Sequence, residues 1–274
     1  MNRENRMKSA RETVSICEAG CYLAPSGQRV EIAEAIKRST EGTVLYSPEF
    51  PPAPKAGSRK VQTVIEVANE TTFGALARLN TQGGHIGCLN FASAKNPGGG
   101  FLTGAQAQEE ALARASALYP CLLKAPEYYE RNRANRSTIY LDLLIYSPSV
   151  PFFRNDDGVL LEGPILASVI TSPAPNAGAV QQNEPRNIPA VEPALRRRAE
   201  LVLRVAQTQG IEKIVLGAWG CGVFRNDPRT VAAIFRSLLE TTFAEVFDNV
   251  VFAVYDRTEL QTTYRAFAEE FKNG

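Results

Sequence analysis

A glycine-rich turn followed by acidic residues is the first place in this sequence where chemistry could occur. The stretch NPGGGFLTGAQAQEE covers residues 96–110 and contains Gly98, Gly99 and Gly100 in a row. Because glycine has no Cβ, its backbone can adopt positive φ and lie directly against a phosphate or a sugar. No Gly-Lys-Ser/Thr follows, so the turn is not a P-loop. A triple glycine by itself is also typical of a flexible turn.

The residues Gln108, Glu109 and Glu110 begin the helix that follows this turn. Acidic side chains in a first helical turn are common because they complement the helix dipole. Two carboxylates one residue apart point about 100° apart around the helix axis, so we do not expect them to form a paired dyad. The pattern instead indicates divided roles, in which one carboxylate holds a sugar hydroxyl and the other handles a proton.

A second glycine turn, GAWGCGVFRNDP, covers residues 217–228. The centre of this turn consists of Gly220, Cys221, Gly222, Val223 and Phe224. It begins like a dinucleotide-binding fingerprint, but Arg225 stands where the third glycine should be, which argues against a nicotinamide dehydrogenase. The apolar Val223 and Phe224 either close over a sugar or pack as ordinary interior residues.

Predicted strands and helices alternate from Val61 onwards. Apolar runs such as VQTVIEVA, IGCLNFASA and EKIVLGAWG predict strands, and the amphipathic stretches between them predict helices. One predicted helix runs from the Gln-Glu-Glu residues to a stop near Pro120. The alternation predicts an α/β fold with a parallel or mixed sheet and helices on both faces. In such sheets ligands bind at the carboxyl ends of the strands, where both glycine turns are expected.

Residues 1–60 are predicted to form an accessory segment before a domain of residues 61–274. They contain a helical stretch, a hairpin around Ser26 and Gly27, and a further short helix. The stretch SPEFPPAPKAGSR at residues 47–59 is rich in proline, which removes backbone donors and favours extended chain. We therefore expect a domain boundary or a lid at this stretch.

The charges of the chain nearly cancel, because 30 Lys and Arg face 29 Asp and Glu among 274 residues. This balance argues against a generic, sequence-independent binder of nucleic acid. The apolar runs are too short to span a bilayer and the charged N-terminal residues do not resemble a secretory signal, so we predict a cytoplasmic protein. The five scattered cysteines and the single His85 predict neither a disulfide framework nor a structural zinc site.

Taken together, these motifs resemble the microbial-type poly(ADP-ribose) glycohydrolases, a family of divergent macrodomains. The resemblance rests on LNFASAKNPGGG, AQEE, TSPAPNAG and GAWGCGVF, and it extends from about Val61 to Asp256. It implies a macrodomain-like, three-layer α/β/α sandwich with a mixed sheet and a helical N-terminal extension. It also implies an enzyme that hydrolyses the ribose–ribose bonds of poly(ADP-ribose) and releases ADP-ribose without a metal or organic cofactor.

The resemblance assigns roles to individual residues as well. It implies that Glu110 is the catalytic acid, which protonates the departing ribose oxygen and then helps to activate water. Glu109 would hold hydroxyls of the released ribose. Residues 98–100 would pack against that ribose and the diphosphate, and residues 220–224 would cradle the diphosphate, with Phe224 over the terminal ribose. Asn90 would support the site from the end of its strand.

Further contacts are implied around the rest of the ligand. Gln108 is expected among the substrate-binding residues. At the adenine end, Glu70 is expected to meet the amino group, while residues 172–178 and Tyr255 form the walls. The expected partners are poly(ADP-ribose), ADP-ribose and ADP-ribosylated proteins, without sequence-specific nucleic acid or membrane. The protein is expected to be a monomer that takes part in the response to DNA damage.

Two other functions are compatible with the same fold. One is a binding module that recognises ADP-ribose and catalyses no reaction, against which the intact Glu109 and Glu110 argue. The other is a hydrolase that removes a single ADP-ribose from a protein side chain. The sequence also leaves open whether cleavage is limited to the ends of the polymer. The near-neutral charge indicates that recognition relies on backbone amides around one repeat unit rather than on bulk positive charge.

Overall fold

A computed structural model describes residues 1–49 and 61–272 of the chain. The helices in these ranges are α1 Arg3–Ala19, α2 Ala33–Glu41, α3 Thr72–Asn80, α4 Gln108–Ala115, α5 Leu118–Leu122, α6 Pro126–Ala134, α7 Ala177–Asn183, α8 Val191–Thr208, α9 Pro228–Glu240 and α10 Thr262–Glu270. Two 3₁₀ helices cover Phe101–Thr103 and Pro185–Ala190. Among the helices of these two ranges, none is both long and apolar enough to cross a membrane.

Most of the strands belong to one large sheet. The strands are β1 Cys21–Leu23, β2 Arg29–Glu31, β3 Val44–Tyr46, β4 Val64–Ala68, β5 Ile86–Phe91, β6 Leu144–Arg154, β7 Leu160–Ser172, β8 Lys213–Leu216 and β9 Asn249–Ala253. β1 and β2 form a separate hairpin, and the others form a seven-stranded sheet in the order β3-β6-β7-β5-β8-β9-β4. β6 runs antiparallel to both of its neighbours, whereas β7, β5, β8, β9 and β4 run parallel. The predicted mixed sheet is therefore confirmed.

Helices cover both faces of this sheet, and each face has its own apolar core. In β5, Cys88 packs in the core that contains residues of α1, α3, α4 and α5, while Leu89 packs in the core that contains residues of α8, α9 and α10. Both side chains are fully buried. Because successive residues of a strand point to opposite faces, a strand that is covered on both sides has an almost continuous apolar sequence. The three-layer α/β/α sandwich is confirmed.

β5 and β8 lie side by side at the centre of the sheet and run parallel, with Ile86 opposite Lys213. After β5 the chain continues to β6 and β7 on one side, whereas after β8 it continues to β9 on the other side. In open α/β sheets a crevice forms between two such strands, at their carboxyl ends. Each glycine turn follows one of these two strands, so the topology brings both turns to the same crevice.

The N-terminal residues contribute to the sheet and to the core. β3 pairs antiparallel with β6 at the edge of the sheet, with Val44 opposite Tyr146. Ile16 of α1 is buried in the same core as Cys88. The domain boundary at residue 60 stays a prediction, because residues 50–60 lie outside the described residues. The lid or boundary predicted for residues 47–59 falls largely on the same positions.

The helix predicted from the Gln-Glu-Glu residues to Pro120 is interrupted. α4 ends at Ala115, and Ser116 is extended and forms an antiparallel β-bridge with Phe152. α5 begins two residues later, at Leu118, and contains Pro120 in its first turn, where proline is tolerated. The prediction of one continuous helix was wrong, because the bridge to a distant strand leaves no trace in the local helical pattern.

Candidate active site

The first glycine turn lies against the beginning of α4. Gly98 and Gly99 have φ values of 67° and 58°, whereas Gly100 has a φ of −103°. Only the first two therefore adopt the left-handed conformation that favours glycine. A Cβ on Gly99 would clash with the Glu110 carboxylate and would lie 3.0 Å from Oε2 of Glu109. Both carboxylates therefore face Gly99, and the space between them and the turn admits no side chain.

Glu110 is held by the glycine turn through one of its two oxygens. Its Oε1 accepts a hydrogen bond from the backbone N–H of Gly100 at 3.0 Å. Within residues 1–49 and 61–272, Oε2 of Glu110 has no hydrogen-bond partner. The side chain is partly exposed. One oxygen thus fixes the position of the carboxylate, and the other is available to a ligand.

Glu109 is buried, with 3% of its surface exposed. Its Oε2 accepts from the backbone N–H of Ser93 at 2.7 Å, and its Oε1 accepts from Nδ2 of Asn90 at 3.3 Å. Burial raises the pKa of Glu109 to about 8, and the charge of Glu110 acts in the same direction, although these hydrogen bonds oppose the shift. At neutral pH Glu109 therefore carries a proton and can donate a hydrogen bond.

The raised pKa of Glu109 predicts a stability that falls as the pH rises. A raised pKa stabilises the folded protein fully below the unfolded value of 4.5, and this contribution is lost progressively as the pH rises from 4.5 to about 8. Glu109→Gln keeps the uncharged form at every pH. We expect its free energy of unfolding, relative to the unchanged protein, to increase by about 2 kcal/mol between pH 5 and pH 7. Urea unfolding of both proteins across this range measures the difference, and parallel pH dependences would contradict the prediction.

Asn90 lies in β5 and is fully buried next to Glu109. Its Nδ2 donates to Glu109 and also to Oγ1 of Thr171 at 3.2 Å. Its Oδ1 is buried and has no hydrogen-bond partner among the residues that the structure describes. Because a buried acceptor without a donor is destabilising, such an atom is expected to be paired with a ligand or a water. Oδ1 of Asn90 is therefore a candidate acceptor for a ligand hydroxyl.

The second glycine turn is closed by Asn226. Nδ2 of Asn226 donates to the carbonyl of Gly220 at 3.0 Å and to the carbonyl of Pro175 at 2.8 Å, so the turn is fixed to the loop after β7. Gly220 has a φ of 74°, and a Cβ there would lie 2.5 Å from Cβ of Ala174. Conformation and space therefore both require glycine at this position.

Three consecutive backbone amides of this turn are free to bind a ligand. Within the described part of the chain, the N–H groups of Gly222, Val223 and Phe224 make no hydrogen bond. The N–H of Cys221, in contrast, donates to the carbonyl of Ala218 at 3.1 Å. Successive free amides in a turn form a concave site for anions. The donors for an anion thus lie in residues 222–224, and the amide of Cys221 is not among them.

A cleft of about 540 Å³ lies at the carboxyl ends of the central strands. Its walls include Gln108, residues 220–224 and Tyr255. The side chain of Val223 is 87% exposed and stands at the surface of this wall. The size is typical of pockets for small molecules and nucleotides. The structure therefore brings the second glycine turn and the start of α4 to one cavity.

The carboxylates and the first glycine turn adjoin this cleft without lining it. Residues 98–100, Asn90, Glu109 and Glu110 are absent from its walls. Their immediate chain neighbours do line it, namely residues 91–92 after Asn90 and Gln108 before Glu109. The predicted residues are therefore assembled in one region, with the cleft on one side and the carboxylates beside it.

The side-chain amide of Gln108 makes three hydrogen bonds within the protein. Its Nε2 donates to the carbonyl of Leu89 at 2.8 Å and to Oγ1 of Thr72 at 3.1 Å. Its Oε1 accepts from the backbone N–H of Phe91 at 2.8 Å. Both amide hydrogens of Gln108 are therefore used within the protein. Gln108 lines the cleft, but its amide connects α4 to β5 and α3 and leaves no donor for a substrate.

Only part of the predicted adenine end lies in the cleft wall. Tyr255 lines the cleft, and within residues 172–178 only Ala174 does. Glu70 is absent from the wall, and its Oε1 accepts from the guanidinium of Arg78 at 2.7 Å. Tyr255 therefore lies in the wall of the cleft, whereas Glu70 is engaged in an ion pair outside it.

Asn69 and Asp256 fix the chain next to Tyr255, although no motif in the sequence marks them as residues of the site. Nδ2 of Asn69 donates to the carbonyl of Asp256 at 2.9 Å, and the N–H of Asp256 donates to Oδ1 of Asn69 at 3.0 Å. The Asp256 carboxylate accepts from the N–H groups of Thr258 and Thr263, both at 3.0 Å. An Asp two residues before a Thr is typical of a local turn. Nothing in the local pattern indicates the pairing with Asn69.

The described residues contain no obvious metal site. No group of three or more His, Cys, Asp or Glu side chains in residues 1–49 and 61–272 is arranged to hold a metal ion. The ring nitrogens of His85 bind the carbonyl of Gly210 at 3.0 Å and Oγ of Ser168 at 2.8 Å. His85 is therefore engaged within the protein and does not line the cleft.

Comparisons with known proteins agree with this geometry. The family model of the microbial-type PARG catalytic domain matches residues 10–155 of the chain, while no curated protein matches. The chain is similar to the protein in the crystal structure of poly(ADP-ribose) glycohydrolase (PARG) from Thermomonospora curvata, with 47% sequence identity and a TM-score of 0.93. The match covers 98% of this chain and 100% of that chain. A structure of that organism's enzyme bound to the inhibitor ADP-HPD gives the same identity and coverage and a TM-score of 0.92.

A further similar structure is PARG from Deinococcus radiodurans in complex with ADP-ribose. It is 47% identical to this chain, with a TM-score of 0.80, and the match covers 86% of this chain and 97% of that chain. These matches extend over far more than the individual motifs, and they confirm the resemblance found in the sequence. The chain therefore belongs to the family of microbial-type poly(ADP-ribose) glycohydrolases.

Proposed function

We propose that this protein hydrolyses the ribose–ribose O-glycosidic bonds of poly(ADP-ribose) and releases ADP-ribose. The observation that carries the proposal is the position of two carboxylates, Glu109 and Glu110, against Gly99 and beside a nucleotide-sized cleft. A protein that only binds ADP-ribose needs the cleft and its free amides, but it has no need for two carboxylates at this place. The related structures with ADP-HPD and ADP-ribose support the choice of ligand.

Glu110 acts as the general acid and then as the general base. The Gly100 N–H holds one carboxylate oxygen, and the other is free to carry the proton that is transferred. This proton passes to the departing ribose oxygen as the glycosidic bond breaks through an oxocarbenium-like state. The Glu110 carboxylate, now ionised, takes a proton from the water that attacks the anomeric carbon. The glutamate is thereby returned to its starting state.

Glu109 and Asn90 hold the ribose that is released. Glu109 is protonated at neutral pH and donates a hydrogen bond to a ribose hydroxyl, while the unpartnered Oδ1 of Asn90 accepts one from a hydroxyl. Both side chains are buried and fixed by the protein, so little entropy is lost when they bind the sugar. Their position next to Glu110 orients the anomeric carbon relative to the acid.

Contacts with the diphosphate supply the remaining binding energy that positions the substrate. The free amides of residues 222–224 bind its oxygens, and the exposed Val223 covers the ligand from the rim of the cleft. Because only one glutamate transfers protons in this scheme, catalysis depends on how accurately these remote contacts place the scissile bond. This explains why a near-neutral protein can act on a polyanionic polymer.

A timed incubation with labelled poly(ADP-ribose) tests the proposed function. We expect the protein to convert the polymer to ADP-ribose in proportion to time and to enzyme concentration. Polymer that is bound but not shortened would indicate the binding module. Release of ADP-ribose from a mono-ADP-ribosylated protein, with no action on the polymer, would indicate the mono-ADP-ribosyl hydrolase. Thin-layer or liquid chromatography separates the products in each case.

The wider biological setting is inferred from the substrate. ADP-ribosylated proteins are the partners that would carry such polymers to the enzyme. Action in the cytoplasm as a monomer, in the response to DNA damage, remains a prediction from the sequence.

A further inference from the structure

A second cavity, of about 430 Å³, adjoins the cleft described above. The walls shared by the two cavities consist of Thr71, Gln106, Ala111, Asp156 and Tyr255. The rest of the second cavity includes residues of α1, the far end of α4 and the segment after β6. A ligand that is longer than one nucleotide can therefore extend from one cavity into the other along this common wall.

Positive charge predominates in the second cavity. Arg6, Arg114, Arg154 and Arg257 line it, against two carboxylates, Asp156 and Asp157. One of these carboxylates is already engaged, since Oδ2 of Asp156 accepts from Oγ1 of Thr71 at 2.6 Å. The net charge of the whole chain is only +1, so this excess of positive charge is a local property of the cavity. Guanidinium groups bind phosphate oxygens well because their donors form a planar fork.

Three of these arginines, Arg6, Arg114 and Arg257, have no carboxylate partner in the described part of the chain, and the first two bind backbone carbonyls. Nε of Arg6 donates to the carbonyl of Gly104 at 2.8 Å, and Nη1 of Arg114 donates to the carbonyl of Ala105 at 2.9 Å. Burial and, to a smaller extent, the charge of Arg6 lower the pKa of Arg114 to about 10, while the charge of Glu110 opposes this shift. The two cations therefore lie close enough to repel each other, which a bound anion would relieve.

Two buried donors of the same cavity have no hydrogen-bond partner among residues 1–49 and 61–272. They are Oγ of Ser9 and Nε of Arg154, whose residues are 7% and 4% exposed. Arg154 uses its other nitrogens to bind Glu12 at 3.0 Å and the carbonyl of Gly158 at 2.8 Å. Buried donors that remain unpaired are destabilising and normally have an acceptor. Their presence in a positively charged cavity indicates that the acceptor is an anion.

We propose that the second cavity binds the diphosphate of the polymer unit that adjoins the unit in the main cleft. The polymer carries one diphosphate per repeat unit, so it places a second anion at a fixed chain distance from the first. Free ADP-ribose has only one diphosphate and occupies the main cleft alone. The second cavity thus gives the protein a preference for polymer over monomer. This inference rests on the proposed function, because it takes poly(ADP-ribose) as the ligand.

Binding measurements with a catalytically inactive protein test the inference. In a Glu110→Gln background, Arg257→Glu reverses one exposed charge of the second cavity. We expect the affinity for long poly(ADP-ribose) to fall about fivefold or more and to depend less on salt, while the affinity for ADP-ribose changes by less than about twofold. Ser9→Ala removes a buried donor without a change of charge and should weaken polymer binding in the same selective way.

Arg38→Glu is the matched control, since Arg38 is exposed on α2 and lines neither cavity. It should leave the ratio of the two affinities unchanged. The inference is overturned if Arg257→Glu behaves like Arg38→Glu, or if the affinities for polymer and for ADP-ribose fall together. Failure of the proposed function would look different, because the protein with an intact Glu110 would then release no ADP-ribose from the polymer.

Discussion

Replacing Glu110 with glutamine should reduce the release of ADP-ribose from poly(ADP-ribose) by about a thousandfold, the range in which general acid–base catalysis acts. The glutamine retains an oxygen that can accept from the Gly100 N–H, so the glycine turn keeps its contact with α4. It carries no proton that it can transfer to the leaving ribose oxygen, and it cannot take one from water. Binding of ADP-ribose should therefore change by less than about threefold, because the cleft and its amides remain.

Two measurements separate this outcome from a loss of folding. Calorimetric titration with ADP-ribose reports the intact site, and product release from labelled polymer reports turnover. Glu130→Gln is the matched control, because Glu130 is an exposed glutamate on α6 that lines neither cavity. It should retain full activity. If Glu110→Gln keeps a tenth or more of the original rate, Glu110 is not the catalytic acid.

Gly99→Ala is expected to reduce activity by about a hundredfold through the displacement of both carboxylates. The added methyl group would occupy the space of the Glu110 carboxylate and lie 3.0 Å from Oε2 of Glu109, so at least one of them must move. The φ of 58° adds a conformational penalty of about 1–2 kcal/mol for any residue with a Cβ. The catalytic rate should fall more than the affinity for ADP-ribose, because the main cleft lies beside the displaced groups.

Gly83→Ala separates the two effects of this substitution. Gly83 has a φ of 67°, and a Cβ there would meet no atom of the described residues within 4 Å. The two variants should therefore lose similar amounts of stability from backbone strain, while only Gly99→Ala loses activity. Thermal unfolding and product release measured on both proteins make the comparison. Equal activities would show that the close approach of the carboxylates to Gly99 has no catalytic importance.

The parts of the site that could be predicted from the sequence depend on short segments. The triple glycine and the two glutamates lie within thirteen positions of each other, from Gly98 to Glu110, so one turn and one helix start bring them together. The alternation of strands and helices placed the second glycine turn at the same edge of the sheet, because β5 and β8 are adjacent and parallel. Local pattern and topology were sufficient for these residues.

The parts that could not be predicted depend on contacts between distant segments. Asn226 closes its turn through the carbonyl of Pro175, and Asn69 pairs with Asp256, 187 positions away. The break after α4 arises from the bridge between Ser116 and Phe152. Each of these contacts uses a common residue type whose partner is decided only by the packing of the whole domain. The four arginines of the second cavity are similarly scattered along the chain and form no visible motif.

The hydrogen bonds of Gln108 give this residue a structural role in the Gln-Glu-Glu motif, in contrast to the two glutamates that face Gly99. An amide side chain can accept from the N–H of Phe91 and at the same time donate to the carbonyl of Leu89. An ionised carboxylate at this position has no donor, so one of its oxygens would face the carbonyl oxygen of Leu89. These bonds oppose sliding of α4 along β5 and rotation of α4 about its own axis. The position of the two glutamates relative to Gly99 is therefore fixed when the protein folds. Substrate binding needs no rearrangement of this helix, so none of the binding energy of the substrate is diverted to moving it.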